Sequence, residues 1–204
     1  MLLPRFLKWI RYAPTGLLHL FRRPLARLRP SHFGADDGDL LKYGLLRWPT
    51  SATLLPECKS LLVTEARRLV LLDLCTGKLD AVTEQSFFNL VGVAHYGLSK
   101  LLLLEAVRGQ EGVLWWFDLE TRSLEAITGQ FRNVWGLATV PDRRIAIVAE
   151  GSSWPDGKLK VVDLKTGTVD TLPASLHRPR QVLVLDNSNV LVTTADGVCE
   201  VAID

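Results

Sequence analysis

Three observations predict an all-β fold of about four stacked antiparallel sheets. A phrase recurs three times: Asp73-Leu74-Cys75-Thr76-Gly77-Lys78-Leu79-Asp80, Asp118-Leu119-Glu120-Thr121-Arg122-Ser123-Leu124-Glu125 and Asp163-Leu164-Lys165-Thr166-Gly167-Thr168-Val169-Asp170, with its aspartates 45 and 45 positions apart. Each copy follows a short apolar run that has no helical period. A unit of that length is too small to bury its own apolar faces and must stack on its neighbours.

The elements follow in order. Leu61–Glu65, Leu101–Glu105, Ile145–Glu150 and Val190–Thr194 are runs rich in Leu, Ile and Val. They read as strands buried on both faces and are expected to be the innermost of each unit. Second strands are predicted at Leu69–Leu74, Val113–Leu119, Leu159–Leu164 and Val198–Asp204, each ending near Asp-Leu or at the last aspartate. Thr-Gly or Thr-Arg turns then reverse the chain, where Gly77 and Gly167 supply positive φ. Third strands are expected at Lys78–Thr83, Ser123–Thr128 and Thr168–Leu172, and fourth strands near Val91–Tyr96, Trp135–Val140 and Gln181–Leu185. Four short antiparallel strands per period describe the blade of a β-propeller.

Residues 36–204 form the predicted propeller domain. Ala35–Leu40 and Thr53–Glu57 carry the missing third- and fourth-strand phrases, so the N-terminal strands are expected to close the last blade. The alternative is an open half-ring completed by a second copy. Residues 1–35 form a separate basic extension: Arg5, Lys8, Arg11, Arg22, Arg23, Arg27 and Arg29 stand there without any acid. The net charge of the chain is +2, which leaves the remainder at −5. Pro4, Pro14, Pro24 and Pro30 divide the extension into short helices at most. Its apolar runs are too short to span a bilayer. Arg5, Lys8, Trp9, Arg11, Arg22 and Arg23 are the residues expected to meet an anionic membrane surface or act in targeting. The expected location is intracellular and peripheral to a membrane, with mitochondrial targeting as the alternative. Charge alone does not make the arm a nucleic-acid reader, because no stacking platform accompanies it.

Cys58, Cys75 and Cys199 are widely spaced and odd in number, which argues against a disulfide framework. Glu65, Glu105 and Glu150 end three successive apolar strands. They are the candidate ligands for Ca²⁺ or another divalent cation at a channel mouth, against a role as solvated strand ends. Asp73, Asp118 and Asp163 are expected to cap their own turns. No His-x-His, HExxH or nucleophile–histidine pairing appears. Trp115, Trp116 and Trp154 are the candidate partner-binding residues, and simple inter-blade packing is the alternative for the first two.

Asn89-Leu90-Val91-Gly92-Val93-Ala94 and Asn133-Val134-Trp135-Gly136-Leu137-Ala138, each followed by an apolar strand ending in an acid, resemble NHL-repeat proteins. They are similar also to SMP-30/gluconolactonase-type and YVTN-type propellers. The NHL and YVTN resemblance implies a non-catalytic scaffold that binds a protein or small ligand at a propeller face. The SMP-30 resemblance implies the alternative, a metal-dependent lactone or ester hydrolase, although no matching Glu/Asn/Asp set can be placed here.

Overall fold

The computed structural model describes residue 46 and residues 49–55, 59–83, 87–97, 99–107, 111–151 and 157–203. Among these, fifteen strands form four antiparallel sheets. Sheet one holds β1 (Pro49–Leu54), β2 (Ser60–Glu65), β3 (Arg68–Asp73) and β4 (Leu79–Ala81), in that order. Sheet two holds β5 (Leu90–Tyr96), β6 (Lys100–Ala106), β7 (Glu111–Asp118) and β8 (Leu124–Arg132). Sheet three repeats this with β9 (Val134–Val140), β10 (Ile145–Glu150), β11 (Lys158–Asp163) and β12 (Val169–Thr171). Sheet four has three strands among the described residues, β13 (Val182–Val184), β14 (Asn189–Thr194) and β15 (Gly197–Ala202).

This order corrects the phase read from the sequence. Strands expected to be fourth in their units open the next sheet instead: Ala94 pairs with Leu102 and Ala138 with Ile147. They are also the strands that lie beside one another from sheet to sheet. Thr50 Oγ1 donates to the Leu90 carbonyl at 2.6 Å, and Thr139 Oγ1 to the His95 carbonyl at 2.8 Å. The apolar runs expected to be innermost are therefore the second strands. Their continuous hydrophobicity reflects burial between sheets on both faces. The predicted clasp is corrected in part. Thr53 and Leu54 belong to β1 and pair with Leu62 and Leu61 of sheet one, not with the last sheet. Ala35–Leu40 lies outside the described residues.

The core consists of the interfaces between successive sheets. Leu62 and Leu69 of sheet one meet Leu101, Leu103 and Phe117 of sheet two. Leu102, Leu104 and Leu114 meet Ala146, Val148 and Val162 of sheet three. Ile147, Ala149 and Leu159 meet Val190 and Val192 of sheet four. Period-two alternation sends adjacent leucines of β6 to opposite neighbours, which is why the whole run is apolar.

Repeat-equivalent positions show where the stacking stops. Leu69, Leu114 and Leu159 stand at one position of three successive sheets, and each is 0% exposed. Their counterpart in sheet four, Val198, is 55% exposed. Leu183 and Leu185 share that outward face and are also exposed.

The recurrent aspartates close the hairpins at one end of the stack, as expected. Asp73 Oδ1 accepts N–H groups of Cys75 and Thr76, both at 2.8 Å. Asp118 does the same with Glu120 and Thr121, and Asp163 with Lys165 and Thr166. Gly77 and Gly167 take φ of 77° and 74° in these turns, and Arg122 takes 56° at the equivalent place. The Thr76, Thr121 and Thr166 amides, each the leading cause, hold these carboxyls below their ordinary range.

Candidate binding site at the bulged strand starts

At the opposite end of the stack, each first strand opens with one residue too many. Leu90 pairs with Glu105 and Gly92 with Leu104, so Val91 has no partner of its own. In the same way Trp135 is extra between Val134 and Gly136, and Thr50 between Pro49 and Ser51. In sheet four, Arg180 takes the corresponding place: its N–H donates to the Thr193 carbonyl at 2.8 Å, while the Thr193 N–H donates to Gln181 at 3.0 Å. Such β-bulges re-aim a side chain out of the ladder. The sequence at these four positions reads Thr50, Val91, Trp135, Arg180. Thr50 and Arg180 are half-buried, Val91 is buried, and Trp135 is 39% exposed.

The last two positions meet. The Arg180 guanidinium carbon lies 3.6 Å from the centre of the Trp135 ring, within stacking distance. The indole is fixed by its own N–H, which donates to the Gly151 carbonyl at 3.0 Å. Gly136 makes the approach of β9 to residues 180–181 workable. A Cβ there would overlap the Arg180 carbonyl oxygen and sit 3.2 Å from Gln181 Cα. Two residues before Arg180, Arg178 is exposed and held at φ 49°. Its repeat counterpart Asn133 takes φ 51°. Burial first, and then the neighbouring Arg178 charge, lower the pKa of Arg180. Its guanidinium still stays ionised at neutral pH.

The three expected cation ligands lie at this end, but the structure does not bring their oxygens together. Glu105 accepts the Phe88 N–H at 2.6 Å and the Trp115 indole N–H at 3.0 Å. Glu150 accepts the Arg132 N–H and lies 3.7 Å from Lys160 Nζ. Phe88 and Arg132 occupy the same place, two residues before β5 and β9, so Glu105 and Glu150 secure the backbone ahead of the bulges at Val91 and Trp135. Glu65 pairs with Arg68. All three are nearly buried, at 3%, 7% and 8% exposure, and burying a carboxylate requires such partners. Among the described residues no group of three His, Cys, Asp or Glu is placed to hold a metal ion.

Trp115 and Trp116 point to opposite faces of β7, as alternation requires. Trp115 packs against the sheet one–sheet two core, and Trp116 against the next core, where it meets Tyr96 edge-on at 5.1 Å. Both are half-buried. Trp154 lies outside the described residues, as do Arg5, Lys8, Trp9, Arg11, Arg22 and Arg23. Sequence reasoning missed Trp135 and Arg180. Aligning Asn89-Leu90-Val91-Gly92 with Asn133-Val134-Trp135-Gly136 shows a tryptophan replacing a valine, but the partner arginine has no matching phrase around it.

Charge at this end is mostly basic at the surface. Arg67, Arg132, Lys158 and Arg178 are exposed beside a single exposed glutamate, Glu111 opposite Arg132, whereas Glu65, Glu105 and Glu150 are buried. Exposed Asp196 is occupied by His177 Nδ1 at 3.0 Å. Phe88, 46% exposed, adds an aromatic surface at the start of sheet two.

No protein-family model matches the chain, and no curated protein matches it. Solved structures do. TolB from Acinetobacter baumannii is similar over 76% of this chain and 41% of its own, at 20% identity and a TM-score of 0.57. An auxiliary nutrient binding protein from Bacteroides thetaiotaomicron covers 77% of this chain and 39% of its own, at 11% identity and a TM-score of 0.60. A chain of the nidogen/laminin complex covers 76% of each, at 10% identity and a TM-score of 0.56. The chain thus spans less than half the length of the first two. At these identities the likeness speaks for fold alone, that of stacked antiparallel sheets such as β-propellers have.

Proposed function

We propose that this protein is a non-catalytic propeller-type module that binds a protein partner at the end carrying the bulged strand starts. The carrying observation is the set of side chains presented there. Phe88, just ahead of β5, and Trp135, at the start of β9, are exposed at an end that also exposes Arg67, Arg132 and Arg178, while Glu105 and Glu150 are held by backbone N–H groups. Aromatic residues and arginine are the side chains that anchor protein interfaces. The nidogen neighbour was solved in a complex with laminin, which shows one such scaffold engaged with a protein. Affinity capture from the native host with the full chain tests the reading. Proteins retained by the wild type are lost with a Phe88→Ser/Trp135→Ser double variant and kept with Lys78→Ser at the opposite end. An identical capture profile for all three would refute it.

The basic arm, residues 1–35, is proposed to hold the module at an anionic membrane surface, on the strength of its alternating apolar and cationic sequence. Co-sedimentation with phosphatidylserine vesicles decides this. Equal binding of the full chain and of a variant with Arg5, Lys8, Arg11, Arg22 and Arg23 changed to Gln would exclude it.

A further inference from the structure

We propose that Arg180, stacked on Trp135 and flanked by Arg178, forms a carboxylate-binding site at this end. The inference rests on the binding-module reading and names the chemistry of its ligand.

Three observations carry it. First, the guanidinium is preorganised. Trp135 covers one side of it at 3.6 Å and is itself tied to the Gly151 carbonyl. The Arg180 main chain is pinned by Thr193 and by the close approach at Gly136. Stacking leaves the in-plane N–H fork of an arginine free, and that fork matches a carboxylate. Second, the site is unneutralised. Among the described residues no carboxylate pairs with Arg178 or Arg180, and no side-chain hydrogen bond is made by Arg180. Neighbouring glutamates cannot serve, because Glu105 and Glu150 are buried and bonded to backbone N–H groups. Arg178, exposed and two residues away, adds a second positive charge beside the half-buried Arg180, which favours an anion there. Third, Trp135 remains partly exposed beside the fork, so an apolar group next to the carboxylate has a surface to cover.

The carboxylate could be carried by an acidic peptide or by a small organic acid, and both arms are tested. The full chain is titrated calorimetrically with a blocked hexaglutamate peptide, with glutarate and with inorganic phosphate. At least one carboxylate probe binds at one per chain. Losing a charge-assisted fork weakens it about tenfold or more in Arg180→Gln. Arg180→Lys loses nearly as much, because a point charge does not replace the fork, and Arg178→Gln loses less. Circular dichroism confirms that each variant is folded, and Trp135→Leu provides a second route that leaves both arginines in place. Binding of hexaglutamate alone assigns a protein ligand; binding of glutarate alone assigns a small acid. No binding by either probe, full affinity in Arg180→Gln, or equal affinity for phosphate would overturn the proposal. Its failure is separable from that of the module reading. Proteins captured through Phe88 and Trp135, with neither carboxylate probe bound, sink only the carboxylate site. Carboxylate binding with no captured protein sinks only the protein-partner reading.

Discussion

Replacing Gly136 with alanine tests how the sheets are held together. In an open extended strand, Gly→Ala gains about 0.5–1 kcal/mol by restricting the unfolded chain. Gly129 of β8 is such a place, since its nearest foreign atom would lie 3.8 Å from a new Cβ. At Gly92 the new Cβ would stand 2.9 Å from the Leu137 Cβ, a side-chain atom that moves only with its own strand. At Gly136 the obstruction is main chain: the Arg180 carbonyl oxygen overlaps the new atom, with its carbon at 3.0 Å. Sheets three and four must then separate by the better part of an ångström along their first strands. Overpacking of that kind costs about 1–3 kcal/mol, and a backbone obstacle puts it at the upper end. The expected order of stability is Gly129→Ala, then Gly92→Ala, then Gly136→Ala, spanning roughly 3 kcal/mol from first to last. Urea unfolding at constant m measures it, with a shift in midpoint for each variant. Equal midpoints for Gly129→Ala and Gly136→Ala would refute the claim that first strands are packed backbone against backbone.

Leu159→Thr, inside the last sheet interface, should cost about 2–4 kcal/mol, whereas Val198→Thr at the equivalent exposed place should cost under about 0.5 kcal/mol; thermal unfolding of the two variants compares them directly. Glu105→Ala strands two N–H donors in a nearly buried setting and should cost about 2–4 kcal/mol, read from the urea midpoint, with Glu105→Gln losing less. His95 Nε2 is buried with no hydrogen-bond partner among the described residues, so His95→Leu should raise stability by about 1 kcal/mol, and a lower melting temperature would contradict that. The folded-state pKa values of Asp73, Asp118 and Asp163 lie below the ordinary 3.8. On acidification the unfolded chain therefore protonates first. The turn contribution is complete above pH 3.8 and is lost as pH falls toward the folded-state values. Changing all three to Asn should flatten the melting temperature between about pH 4 and pH 2.

Strand positions and hairpin turns were legible in the sequence because each depends on neighbours along the chain. The Asp-x-x-Thr-Gly phrase states its own geometry: the carboxylate reaches amides two and three residues on, and the glycine takes positive φ. Sheet phase was not legible. Whether Leu90–Tyr96 closes one unit or opens the next depends on whether it pairs with β4 before it or with β6 after it, and nothing in an apolar strand's own sequence tells the two apart. The site was hidden for the same reason. Glu105 and Glu150 were visible as a recurring acid, but their purpose rests on amides 17 and 18 positions upstream in sequence. Trp115 and Trp116 drew attention as a pair, yet their alternation directs one into each core.

A repeat scaffold explains why the interesting residues are those that depart from the repeat. Positions that bury between sheets must stay apolar, and the turns keep the aspartate that caps them, so neither can diversify without cost. The bulge at the start of each first strand is freer, because its side chain leaves the ladder; in sheets two and three Glu105 and Glu150 also hold the backbone just before it. Thr50, Val91, Trp135 and Arg180 show four different solutions at this one place. Thr50 spends its hydroxyl on Leu90 and Thr64, and Val91 is buried in the sheet two–sheet three core. Trp135 and Arg180 instead pair across two sheets at the surface. Separately, a half-exposed indole and an unpaired arginine would each add little. Stacked at 3.6 Å, they form a rigid cationic platform whose position is set by the spacing of the sheets themselves. A change in that spacing, as in Gly136→Ala, is therefore expected to weaken carboxylate binding even with both side chains intact.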